Sequence, residues 1–231
     1  RARVAFNASG ETDGGLSFSA AFRADNAIGA SGGSAGSVAL AGAFGKLSMG
    51  NVAGAAEAAV GDLSGVGYEG LGDYSDTFFL TGDGVEGEPI IQYAYTAGDL
   101  SVYASASDGV EQSNYAVGVA YTMGDYTAGL AYESTNDFDA DVADPVEADP
   151  LAVPPIVADA NEDIGDATHI VASLGGTFGA ISGKLVYGQA DVQGDDATQM
   201  GASATYTMDA LAVTGFYKSL DLSNLIEGAD T

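Results

Sequence analysis

The stretch Tyr115-Ala116-Val117-Gly118-Val119-Ala120-Tyr121-Thr122 decides the fold. Tyr115, Val117, Val119 and Tyr121 alternate with Ala116, Gly118, Ala120 and Thr122. A period of two places the first set on one face of a β-strand and the second on the other. The first face is bulky and apolar and carries Tyr at both ends. The second is small and nearly featureless. A soluble β-sandwich would turn the bulky face inward and clothe the outside with charged residues. Here the alternate face has neither charge nor bulk.

The same pattern spreads in both directions. Leu16, Phe18, Ala20 and Phe22 alternate with Ser17, Ser19, Ala21 and Arg23. Leu100, Val102, Ala104 and Ala106 alternate with Ser101, Tyr103, Ser105 and Ser107. Similar strands are expected at 1–9, 37–44, 89–97, 126–133, 168–177, 180–190, 198–207 and 210–219, about twelve in all. Such strands suit an antiparallel transmembrane β-barrel, apolar toward lipid and small and polar toward a wet lumen. The chain opens directly in the strand-like segment Arg1 to Ser9. The expectation is a single barrel domain over 1–231, a fragment whose signal peptide and first strand are absent, with about sixteen strands in the full chain.

Connections alternate in length. Tight turns are expected at Ala43-Phe44-Gly45-Lys46, Thr96-Ala97-Gly98-Asp99, Thr122-Met123-Gly124-Asp125, Thr177-Phe178-Gly179-Ala180 and Thr207-Met208-Asp209-Ala210. Gly or Asp supplies the positive φ that such hairpins require. Longer connections are expected at 25–36, 52–88, 108–114, 135–167 and 191–196. Short periplasmic turns facing long external loops are the mark of a membrane barrel. Residues 135–167, with ten acidic residues and Pro145, Pro150, Pro154 and Pro155, read as an acidic external loop with little to bury.

Composition excludes much else. There are 33 acidic residues against 6 basic ones, a formal charge of −27. Nucleic acid is therefore not an expected partner, because phosphates need a basic patch. With no Cys there are no disulfides, thiolate metal sites or cysteine nucleophiles. No apolar run reaches the roughly 18 residues of a membrane helix. His169 is the only histidine, so neither a catalytic triad nor a zinc site is expected; it reads as a solvated residue of the polar face near a strand start. No Ser lies in a nucleophile-elbow pattern. Asp137, Asp139 and Asp141 imitate the start of a calcium loop, but Val142 stands where an EF-hand needs Gly. An enzyme is not expected.

By strand phase, Arg1, Arg3 and Arg23 point to the polar face on two neighbouring strands. Arg1 and Arg3 lie about 7 Å apart, which costs about 0.6 kcal/mol at the dielectric of water and several-fold more near protein. Carboxylates opposite them would offset that cost. Lys184 and Lys218 share the polar face but fall farther along the wall, away from the arginines.

The stretch Arg1 to Gly109 resembles the porins of purple non-sulfur, Rhodobacter-type bacteria and their marine relatives. The carrying residues are Arg1-Ala2-Arg3-Val4, Gly42-Ala43-Phe44-Gly45-Lys46-Leu47-Ser48-Met49-Gly50, Gly61-Asp62-Leu63, Val66-Gly67-Tyr68 and Leu80-Thr81-Gly82-Asp83. The resemblance implies an outer-membrane location, passive diffusion of small hydrophilic solutes and ions, contact with outer-membrane lipid, and a homotrimer. It also implies that the third long loop, here 52–88, folds inward and narrows the pore to an eyelet. Its acidic rim would include Glu57, Asp62, Glu69, Asp73 and Asp76, facing Arg1, Arg3 and Arg23 on the wall. No cofactor is required; a structural calcium ion at Asp73, Asp76, Asp83 and Glu86 is the one addition the resemblance allows. The trimer contact would fall on Arg1 to Ala8 and Leu16 to Ala24, with Ala2, Val4, Phe6, Ala8, Phe18 and Phe22 outward.

Two other readings remain open to sequence. One is a soluble acidic β-rich surface or adhesion protein of a halophile. The other is a glycosidase built on paired carboxylates, which composition alone does not establish. The side to which Phe18, Phe22, Val117 and Tyr121 turn separates them: outward for a membrane barrel, inward for a soluble protein.

Overall fold

The computed structural model describes residues 3–25, 36–65, 75–82, 90–107, 113–136 and 165–221. They form twelve strands and one short helix. In chain order these are β1 (Arg3–Glu11), β2 (Ser17–Asp25), β3 (Gly36–Gly42), β4 (Gly45–Gly50), α1 (Ala55–Val60), β5 (Ile90–Ala97), β6 (Leu100–Ser107), β7 (Asn114–Met123), β8 (Tyr126–Thr135), β9 (Ala167–Phe178), β10 (Ile181–Val192), β11 (Asp195–Met208) and β12 (Leu211–Asp221). Every strand pairs with the next in one antiparallel meander, with β1 and β12 at its edges among the described residues. Strands β7 to β12 run for 10 to 14 residues, enough to cross a bilayer at a tilt.

Turn chemistry fixes the hairpins. Ala97 pairs with Leu100 across Gly98-Asp99, and Met123 with Tyr126 across Gly124-Asp125. In both, Gly takes a positive φ, 61° and 59°, at the first turn position. That geometry matches the twist of the flanking strands. One connection differs from expectation. Residues 191–196, read as a longer loop, close as a two-residue turn with Val192 paired to Asp195. Gln193 and Gly194 both take positive φ there, so the acidic flanks belong to the ladder and not to a loop.

The two faces differ as the alternation predicts. All twelve strands put large apolar side chains on the exposed side; Phe18, Phe22, Val117 and Tyr121 are 51%, 53%, 49% and 48% exposed. The soluble reading required these inward, and the fold turns them out. Buried residues lie on the opposite face, beneath the chain between β4 and β5. There Ala55, Ala56, Ala59, Val60 and Leu63 pack against Ala116, Ala131, Val171 and Val186 of β7 to β10. This face is called inner below.

Candidate functional site

The site is built where the β4–β5 connection lies on the inner face. Its first half is α1, a six-residue helix rich in alanine. So short a helix is not stable alone in water. The wall supplies what it lacks. Gly54 at its N-cap offers no side chain, and the Ala55 amide instead donates to the Ser105 hydroxyl of β6 at 2.9 Å. At the other end the Ser173 hydroxyl of β9 donates to the Val60 carbonyl at 3.1 Å. Two glycines let the helix backbone come this close. A Cβ at Gly118 would stand 2.6 Å from the Ala59 Cβ and 2.7 Å from the Ala55 carbonyl oxygen. A Cβ at Gly129 would press into the Ala59 carbonyl oxygen.

The second half, residues 75–82, is tied to the first and to the wall. Asp62 accepts from the Thr77 amide at 2.8 Å, and the Thr77 hydroxyl donates to the Gly61 carbonyl at 3.2 Å. From β11, Gln199 grips Phe78 at both ends: Oε1 accepts from its amide at 2.9 Å and Nε2 donates to its carbonyl at 2.7 Å. From β8, Glu133 accepts from the Leu80 amide at 2.8 Å, the Thr81 amide at 3.1 Å and the Thr81 hydroxyl at 2.9 Å. His169 of β9 stands between the two, with Nδ1 2.7 Å from Glu133 Oε1 and Nε2 3.1 Å from Gln199 Nε2. Glu133 and His169 are 0% and 1% exposed. The sequence reading of His169 as a solvated residue is thus overturned. Its place on the polar face holds, but the loop covers it.

Two lysines of the polar face add to the attachments. Lys184 Nζ donates to the Asp62 carbonyl at 2.8 Å, and Lys218 Nζ donates to the Asp76 carbonyl. Both lie against the loop, on β10 and β12. With Gln92 of β5 donating to the Ala53 carbonyl at 2.6 Å and Ser203 of β11 accepting from the Ser64 amide at 3.0 Å, the attachments run from β5 to β12. A net gain of about 1 kcal/mol for each neutral bond would make this segment part of the wall and not a free flap.

Of the residues expected at the constriction, Glu57 is half-buried on α1, and Asp62 and Asp76 are exposed. With Thr77, Phe78, Phe79 and Thr81 they border a cavity of about 360 Å³. Glu69 and Asp73 lie outside the described residues, as do Arg1 and, of the expected calcium ligands, Asp73, Asp83 and Glu86. The register of β1 and β2 sets Arg3 opposite Asp25 and Ala5 opposite Arg23, so positions 3 and 23 share one face. That face is inner, because the neighbouring Val4, Phe6 and Phe22 are on the exposed side. Lys46, Lys184 and Lys218 hold inner-face positions too. Lys46, Lys184 and Lys218 are therefore on the side of the loop.

An antiparallel sheet with lipid-compatible residues on one face and a fastened loop on the other is the wall of a membrane channel. Comparison with known proteins gives the family. A family profile described as Gram-negative porin matches residues 1–231. The chain is 37% identical to a porin of Rhodobacter capsulatus over 97% of its own length and 78% of that protein. A porin structure refined at 1.8 Å shares 33% identity with a TM-score of 0.59, covering 97% of this chain and 88% of that one. OmpT of Vibrio cholerae, in a variant lacking loop L8, shares the fold at 18% identity and a TM-score of 0.64, covering 94% of this chain and 72% of that one. The chain belongs to the Gram-negative porin family, and its place is the bacterial outer membrane.

Proposed function

We propose that this porin passes small hydrophilic solutes and ions by passive diffusion and selects them by size and charge where the 52–88 loop narrows the lumen. The observation that carries the reading is the fastening of residues 53–64 and 76–81 to the inner wall from β5 to β12. A loop so held subtracts cross-section from the lumen. Its carboxylates Glu57, Asp62 and Asp76, with Glu69 and Asp73 in the same loop, form one rim. Arg1, Arg3 and Arg23 form the other. Between them runs a transverse field in which polar solutes align their dipoles and keep their water, while apolar ones must displace it.

The channel assembles as a homotrimer through the outer face of β1 and β2. Val4, Phe6, Phe18 and Phe22 are exposed there, and the Phe6 and Phe22 rings stack at 4.7 Å. Calcium held by Asp73, Asp76, Asp83 and Glu86 would brace the acidic half of the loop. Uptake of neutral sugars of increasing size into proteoliposomes tests the function. The rate should fall steeply with solute size and rise linearly with concentration. Saturation at low concentration would show a binding site in place of a sieve.

A further inference from the structure

We infer that His169, joined to Glu133 and Gln199, is the latch that sets the position of the second half of the pore loop. The inference rests on the proposal that this loop narrows the lumen. Hydrogen-bond directions fix the arrangement. Gln199 Oε1 accepts from the Phe78 amide and Nε2 donates to the Phe78 carbonyl, which settles which end of the amide is which. Nε2 therefore has its second hydrogen for His169 Nε2, which must accept. The proton of a neutral imidazole then sits on Nδ1 and goes to Glu133 Oε1. The other partners of Glu133, at Leu80 and Thr81, are all donors to its oxygens.

One ring thus couples two clamps that reach the loop from β8 and β11. Phe78 flanks the ring, with centroids 6.1 Å apart. Room for it comes from Gly188 of β10, where a Cβ would collide with the imidazole and stand 2.9 Å from Gln199 Cγ. No buried polar side-chain atom among the described residues lacks a partner, so removing one member of the latch deprives its direct partner of a bond. His169 is a positioning residue: it touches no solute and acts through Glu133 and Gln199.

Three variants of the full chain, compared by amide hydrogen exchange and single-channel recording, test the latch. His169→Phe keeps a ring and removes both nitrogens. It should speed exchange at Phe78, Leu80 and Thr81 by about ten-fold or more, with the β7–β10 ladder unchanged, and should add open-channel current noise. His169→Asn restores a donor toward Glu133 and should recover protection at Leu80 and Thr81 but not at Phe78. Gln199→Met leaves the Glu133 pair intact and should release Phe78 alone; it also serves should His169→Phe fail to fold. Wild-type protection in these variants, or equal loss at all three amides in each of them, overturns the latch. Segmental release with unaltered current leaves the latch standing and removes the narrowing on which it rests.

Discussion

Gly129 has no side chain because the Ala59 carbonyl oxygen occupies the space a Cβ would take. Replacing it by Ala pits a methyl against backbone on one side and the Ser173 hydroxyl, at 2.8 Å, on the other. The strand is held by two ladders, so the helix must move. We expect Gly129→Ala to cost about 1–3 kcal/mol in docking of α1 and to expose the Ala55 and Ala58 amides to exchange. Unchanged protection there would mean that the helix is not held by close approach. Sequence does not reveal this role: Gly129 reads as one more small residue of the polar face. His169 hides in the same way. A lone histidine on a wet wall is the natural reading until the register sets it opposite Glu133, 36 residues away, and the loop closes over both.

At the scale of elements, strands are legible and their attachments are not. Alternation in 115–122 and 100–107 reports a period of two directly, and the Gly or Asp of each tight turn marks where pairing reverses. Helix α1 carries no such mark. Its six residues lack an N-cap side chain, and the hydroxyls that complete it come from Ser105 and Ser173, 50 and 113 residues distant from their partners in the chain. The β10–β11 turn was hidden by Asp191, Asp195 and Asp196, whose charges resemble a loop, although Gly194 supplied the turn. The apolar outer face offers a test of its own. Val117→Arg, near the middle of β7, should destabilise the folded channel in bilayers by about 2–4 kcal/mol. Thr122→Arg, on the inner face of the same strand, should alter ion selectivity while the unfolding midpoint in lipid stays near wild type. Equal destabilisation by both would contradict the assignment of faces.

For the whole molecule, the excess of acidic over basic residues is the dominant feature. The chain carries a formal −27, and Lys46, Lys184 and Lys218 hold inner-face positions. The acidic surface should concentrate cations near the pore, an effect screened over about 10 Å at 0.1 M salt. Modest cation selectivity that weakens with rising salt is therefore expected from reversal potentials. Replacing Arg1, Arg3 and Arg23 together by Ala should strengthen that selectivity and raise conductance. Unchanged values would remove these arginines from the constriction. Lys184 and Lys218 complicate a purely electrostatic view, since each also binds a loop carbonyl, so their removal should shift selectivity and loop order together. The proposed trimer requires the outer face of β1 and β2; in mild detergent the active channel should have the mass of three chains, and an active monomer would exclude it.

A passive channel with a fixed, wall-bound loop is tested most directly by single-channel recording of the purified protein in planar bilayers across a range of salt. The account predicts stepwise insertions of uniform size, current proportional to voltage at low voltage, and conductance that rises with bath salt without saturating. A silent bilayer, or conductance that saturates at millimolar salt as at a tight binding site, would contradict it.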